Sequence, residues 1–173
     1  MTQPAFGPVM QMAWVVNDLE AAMQRWITQH GAGPFFTQRH AALTNVLYRG
    51  APAKVDIDFA IAQSGGVQIE LIQQNDDRPS CYRDMYPMGE EGFHHVCYVV
   101  DDLPGALSHF GRLDMPAAIE GNFGEVRFAY VDTRPGIGCM TELVGRHPDI
   151  EAFFKMVADA AADWDGRDPI RRI

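Results

Sequence analysis

Long apolar runs are missing from this 173-residue chain. No stretch approaches the ~18 residues that a membrane-spanning helix requires. The opening MTQPAFGPVM has neither a basic start nor an apolar core, so no signal peptide is expected. Cysteine is scarce: Cys81, Cys97 and Cys139 form an odd set without a CxxC pair. Free, reduced thiols in a cytoplasmic protein are the expectation. Cationic charge is also short, with 14 Lys+Arg against 23 Asp+Glu and a net charge of −9. That balance argues against nucleic acid or an anionic membrane surface as the main partner, although a local site can oppose the global sign. GxGxxG, P-loop and GxSxG motifs are absent, which leaves nucleotide-binding and serine-hydrolase readings without support. What is present is ordinary globular composition, 47% apolar and 21% charged. The length suits one domain, or two small modules sharing a core.

The chain repeats itself. Gln11-Met-Ala-Trp-Val-Val-Asn-Asp-Leu19 aligns with His95-Val-Cys-Tyr-Val-Val-Asp-Asp-Leu103, four of nine positions being identical. Each copy starts with a β-branched and aromatic run, a strand signal. Asn17-Asp18 or Asp101-Asp102 then offers a helix N-cap. Apolar residues at 19, 22, 23, 26 and 27 mark one buried helix face. Pro104 in the second copy falls in the first helical turn, where it is tolerated. Gly31-Ala-Gly-Pro34 ends the first helix, and strands follow near Thr44–Arg49, Lys54–Ala62 and Val67–Gln73. The second helix is followed by strands near Ala117–Gly121, Glu125–Asp132 and Cys139–Val144. The expected organisation is βαβββ over 1–75, a connector over 76–91 with a short helix near Tyr82–Tyr86, and βαβββ over 92–146. A C-terminal helix from Pro148 to about Asp163 and an irregular tail complete residues 147–173.

Four polar residues hold matched places in this repeat. Glu70 lies inside Val67-Gln-Ile-Glu-Leu-Ile72, and Glu142 at the same place in Cys139-Met-Thr-Glu-Leu-Val144. Gln11 and His95 open the two first strands. A single strand glutamate ordinarily faces solvent. A carboxylate on an inner face is costly unless it is paired or binds a metal, and two at matched places make the second reading the stronger. Around a pseudo-twofold axis, Gln11, Glu70, His95 and Glu142 would offer three oxygens and one imidazole nitrogen. That set suits a divalent cation (Zn, Mn, Co, Ni or Fe(II)) with open positions, octahedral rather than closed and tetrahedral. Because neighbouring strand residues point to opposite faces, only one of His94 and His95 is expected in the cleft, with His94 at the surface or behind the site. Asp56 and Asp58 read as a solvated strand face. Tyr48, Tyr82 and Tyr130 are possible orienting hydroxyls, Phe35-Phe36 a core pair or pocket wall, and Met85 and Met88 a pliable lid.

These residues resemble a known family. Gln11–Leu19, Val67–Gln73, Gly92-Phe-His-His-Val-Cys-Tyr-Val-Val-Asp-Asp-Leu103 and Gly138–Val144 together are similar to the vicinal oxygen chelate superfamily, the glyoxalase/bleomycin-resistance/extradiol-dioxygenase fold. The resemblance spans roughly residues 8–146. Glu70-Leu-Ile-Gln, Asp76-Asp-Arg-Pro-Ser80 and His94-His-Val look most like its methylmalonyl-CoA epimerase branch. It implies an α+β fold: two tandem βαβββ modules forming a curved, cup-shaped mixed sheet, plus the C-terminal helix. It implies metal ligands on the first and last strand of each module, which here are Gln11, Glu70, His95 and Glu142. Epimerases of that branch more typically carry His then Gln at the first two places, so Gln11 and Glu70 depart from it. The order Gln, Glu, His, Glu is instead similar to animal-type glyoxalase I. A homodimer is also implied.

Such a site implies a metal-dependent epimerase, isomerase or lyase that removes a proton next to a carbonyl through a metal-stabilised enolate. Glu142 is the first candidate base and Glu70 the second. The implied partner is a small-molecule carbonyl substrate. Two alternatives stand beside it: a protein that sequesters an aromatic or antibiotic ligand in the same cup, and an Fe(II) ring-cleaving dioxygenase. The dioxygenase is disfavoured because only one His occupies a ligand place.

Overall fold

A computed structural model gives the structure and describes residues 6–173. Residues 1–5, on which part of the leader reading rests, lie outside the described residues. The strands are β1 (Gln11–Val15), β2 (Phe35–Gln38), β3 (Leu43–Tyr48), β4 (Ala51–Pro52), β5 (Ile57–Ser64), β6 (Val67–Gln74), β7 (Gly92–Val100), β8 (Ala117–Phe123), β9 (Val126–Val131), β10 (Met140–Gly145) and β11 (Ile170–Arg172). The helices are α1 (Leu19–His30), α2 (Cys81–Met85), α3 (Leu103–Gly111), α4 (Arg134–Ile137) and α5 (Pro148–Ala162). Among the described residues the strands form one sheet in the order β11-β2-β5-β6-β1-β7-β10-β9-β8-β3-β4. The α+β class and the curved, unclosed mixed sheet with a C-terminal helix are as expected.

The two long repeat helices form for the same local reason. Asp18 accepts a hydrogen bond from the Ala21 amide at 2.9 Å, and Asp102 accepts one from Gly105 at 3.0 Å, satisfying otherwise orphaned first-turn donors. Gly31 closes α1 in the left-handed conformation (φ 65°), which a side chain would strain. Leu19, Ala22 and Met23 of α1 pack on Phe35, Ala60 and Leu71, while Leu103 and Ala106 of α3 pack on Ala129 and Leu143. Both helices thus cover one face of the sheet. The other face carries the larger apolar cluster, which includes Phe59, Ile61, Phe128 and Tyr130 and takes in Val157 of α5.

Sheet order carries the internal symmetry. β1 runs parallel to β6, β7 parallel to β10, and β1 antiparallel to β7. The order β1-β6-β5-β2 on one side mirrors β7-β10-β9-β8 on the other. The strand that mirrors β8 is therefore β2, which begins at Phe35. The segment read near Thr44–Arg49 is β3, and it crosses over to pair antiparallel with β8 in the other half. The tail read as irregular contains β11, which pairs in parallel with β2.

Candidate metal centre in the cup

Four consecutive central strands, β6-β1-β7-β10, carry Glu70, Gln11, His95 and Glu142 respectively. Ligand atoms of Glu70, His95 and Glu142 lie within 4.8 Å of one another. His95 Nε2 is 3.3 Å from Glu70 Oε2 and 3.3 Å from Glu142 Oε2. Ala13, the cross-strand partner of both Glu70 and His95, keeps the space between them open with its single methyl. Gln11 lines the same cavity as Glu70 and Glu142, and its amide nitrogen donates to Gln68 Oε1 at 3.3 Å. Gln11, His95 and Glu142 are buried, and the Glu70 side chain is 13% exposed.

Electrostatics set this cluster apart from an ordinary ion pair. Burial pushes the Glu70 carboxyl up, the His95 contact pulls it down, and the nearby Glu142 charge raises it again. For His95, burial disfavours the charged ring, but the Glu142 and Glu70 carboxylates outweigh it and push the imidazole up to about 9. His95 Nε2 and Glu70 Oε2 are nevertheless buried without a hydrogen-bond partner. Unsatisfied buried polar atoms are rare and costly. Two of them facing each other, with a second carboxylate beside them, are the donor arrangement a divalent cation satisfies, so these residues fit one.

His94 is not at the surface. Pairing of β1 with β7 runs Ala13 to His95 and Trp14 to Phe93, leaving His94 as the extra residue of a β-bulge. The bulge suspends strict alternation, so both histidines are fully buried and adjacent, with Nδ1 to Nδ1 at 2.9 Å. His94 Nε2 lies 3.1 Å from the Cys81 carbonyl, which can only accept. His94 therefore donates from Nε2 and accepts at Nδ1 from the His95 Nδ1–H. Burial and the neighbouring His95 hold His94 well below the usual histidine range, consistent with a neutral ring. This chain of two bonds aims His95 Nε2 at the carboxylates. An adjacent His-His pair in the sequence signalled it; the bulge did not show there.

Tyr82 and Tyr130 also line the cavity, and the Tyr82 hydroxyl donates to that of Tyr130 at 3.3 Å. Burial pushes both phenols well above their ordinary values, so both stay protonated donors. Tyr48 instead donates to Asp84 at 2.7 Å. Trp14 packs against Trp26 and Phe93 on the helix-covered face, away from the cup. Phe35 is core beneath α1, Phe36 belongs to the larger core, and Met88 is exposed. Asp58 is buried rather than solvated, accepting from Arg39, the His40 amide and Asn75 at 2.7–2.8 Å. With His40 and Asp56 it forms a second group of this kind, in which Asp58 already accepts three hydrogen bonds.

The cavity above the candidate ligands has a volume of about 100 Å³ and opens to solvent. Its walls are apolar, with Phe59, Phe123 and Phe128 from the sheet and Ile150, Phe153 and Phe154 from α5. The three cysteines are free and buried, and among the described residues no helix is long and apolar enough to cross a membrane.

Comparison with known proteins agrees with the fold. Solved structures similar to this chain include a variant methylmalonyl-CoA epimerase from Streptomyces coelicolor in complex with 2-nitronate-propionyl-CoA, at 14% identity and TM-score 0.57 over 82% of this chain and 95% of that one. The methylmalonyl-CoA epimerase of Mycobacterium tuberculosis is similar at 14% identity and TM-score 0.53, over 83% and 90% of the two chains. A hypothetical protein from Bacillus halodurans gives 12% identity and TM-score 0.56, over 81% and 94%. Among curated protein sequences none matches. The family model for the glyoxalase/bleomycin resistance protein/dioxygenase superfamily matches residues 10–130, well over half of the sequence, and the chain belongs to that superfamily.

Proposed function

We propose that this protein is a divalent-metal-dependent enzyme that moves a proton next to a carbonyl, as an epimerase, isomerase or lyase. The observation that carries this reading is the buried Glu70–His95–Glu142 cluster at the base of an apolar cup, with two polar atoms left unsatisfied. Gln11, Glu70, His95 and Glu142 would hold the ion, which would supply Lewis acidity to the substrate carbonyl and favour loss of the adjacent proton. The epimerases similar in fold include one with a CoA thioester analogue bound, and a thioester is one carbonyl compound of this kind.

The chain's own residues divide the remaining work. Glu142 lines the cavity and is the base that takes the proton from carbon; Glu70, on the other side of His95, can return it. His95 does not shuttle protons, because the His94 contact fixes its ring. Tyr82 and Tyr130 provide neutral hydroxyls that orient an oxygen of the substrate. Apolar walls keep bulk water from the carbanion.

Solvent deuterium incorporation at the α-carbon of enolisable ketones and thioesters, followed by NMR, tests this. Glu142→Gln should keep most of the metal and lose about 100-fold or more of the exchange rate. Retained exchange in that variant would remove Glu142 from the role. A sequestering protein would use the same apolar walls, but it gives no reason for two buried carboxylates around an imidazole.

A further inference from the structure

A primary amide is an ambiguous ligand. Its oxygen can hold a cation and its NH2 cannot, yet the two ends are nearly alike in size and shape. Of the four residues proposed around the ion, Gln11 alone carries this ambiguity. A carboxylate offers an oxygen at either end, and His94 already aims the His95 ring. Left free, the Gln11 NH2 would be drawn to the Glu70 and Glu142 carboxylates as a donor. Gln11 therefore ligates only if its nitrogen is held elsewhere.

Gln68 is placed to hold it. It stands beside Gln11 in the parallel pairing of β1 with β6, two residues before Glu70. Its main-chain amide donates to the Met10 carbonyl at 2.9 Å, which fixes the strand at this point. Gln11 Nε2 donates to Gln68 Oε1 at 3.3 Å. With the nitrogen tied to β6, the planar amide turns its oxygen away from Gln68. Among the described residues no group donates to that oxygen, and Gln11 lines the cup. Gln68 itself does not line the cup and is only 2% exposed. A buried side-chain amide is costly unless its polar atoms are used.

The internal repeat supplies a comparison. β10 pairs with β7 in the same parallel manner and sets Met140 beside His95, two residues before Glu142. Met140 is fully buried and belongs to the apolar core. The place beside the first-strand ligand is thus polar where that ligand is an amide needing orientation. It is apolar where the ligand is a histidine already oriented by His94.

We propose that Gln68 is a positioning residue that turns the Gln11 oxygen toward the ion, so that Gln11 binds as a fourth protein ligand. This rests on the metal-dependent reading given above and deepens it. Gln68 touches neither ion nor substrate, yet it sets metal affinity through Gln11.

The test is cobalt(II) binding to the chelator-treated full chain, read by competition with a chromophoric chelator and by the visible spectrum of the bound ion. Gln68→Met, which copies the other half of the repeat, is compared with Gln11→Met and with the double variant. Gln68→Leu takes its place should Gln68→Met fail to fold. Gln68→Met should lower cobalt affinity about 10- to 100-fold and give the spectrum of Gln11→Met. In the double variant the second substitution should cost less than about twofold, because both remove the same interaction. Wild-type affinity and spectrum in either single variant would overturn the proposal. So would a full further loss when Gln68→Met is added to Gln11→Met, since its effect would then not pass through Gln11. Cobalt bound by the wild type and lost in His95→Ala reports on the metal centre independently of Gln68. A wild type that takes up no cobalt would remove the metal-dependent reading, and this proposal with it.

Discussion

His94 shows how one backbone irregularity shapes the chemistry of the cluster. In a regular strand it would face away from His95; at the bulge it accepts the His95 Nδ1–H instead. Replacing it with Ala removes that acceptor, leaves His95 Nδ1 without its partner and takes one hydrogen bond from the Cys81 carbonyl. We expect a loss of about 1–3 kcal/mol in denaturant-derived stability. We also expect a 10- to 100-fold fall in divalent-metal affinity in a chelator-competition titration, the usual cost of losing an orienting partner. His94→Gln, whose side-chain oxygen can accept, should recover part of the affinity. Metal affinity equal to wild type in His94→Ala would mean that His95 needs no such orientation. The sequence made these residues legible because the 84-residue offset aligns Gln11 with His95, and because Glu70 and Glu142 hold the same place, before Leu, in the last strand of each copy. For His94 the sequence left two places open, at the surface or behind the site; it lies behind the site, at a bulge that leaves no local sequence mark.

At the scale of elements, the helices and central strands were readable for a physical reason: caps, 3.6-residue stripes and β-branched runs are local signals. Asp18 and Asp102 cap the helices they were expected to cap. What escaped was set by distant partners. β2 is four residues long and buried through contact with β5 and β11, so its Phe35-Phe36 pair reads equally as core or loop. β11 has three residues and exists only because β2 offers an edge. The docking of α5 depends on Trp164 against Gly33, a contact between residues more than 130 positions apart. Gly33→Ala should therefore displace the tail and lower stability by about 1–3 kcal/mol in thermal or denaturant unfolding, overpacking being the cause. An unchanged midpoint would show that the tail shifts at no cost.

Across the whole molecule, two halves with mirrored strand order share one sheet, and the β3–β4 hairpin of the first half completes the far edge of the second. Such long-range pairing cannot be read from local periodicity. An ion network helps hold it: Arg49, in the turn after β3, reaches Asp84 of α2 at 2.6 Å and Asp132 after β9 at 3.1 Å, and Arg134 pairs with Asp132 at 2.6 Å. Arg134 first, then Arg49, holds the Asp132 carboxyl down to about 2, against the burial that opposes it. A carboxylate with a depressed folded value stabilises the protein above its unfolded value of ~3.9, and that stability is lost as the pH falls through about 2. Asp132→Asn should cost about 1 kcal/mol at neutral pH, discounted for the partly exposed arginines, and the difference from wild type should vanish by about pH 2. Urea midpoints across that range check it, and a difference that persists at the acid end would contradict the assignment.

We propose that Gln11, Glu70, His95 and Glu142 form a metal centre. The most direct measurement is metal content by inductively coupled plasma mass spectrometry on untagged protein, with His95→Ala and Glu70→Ala alongside. About one divalent ion per chain is expected, lost in both variants. No ion as purified, and none taken up on adding Zn, Mn, Co, Ni or Fe(II), would contradict it.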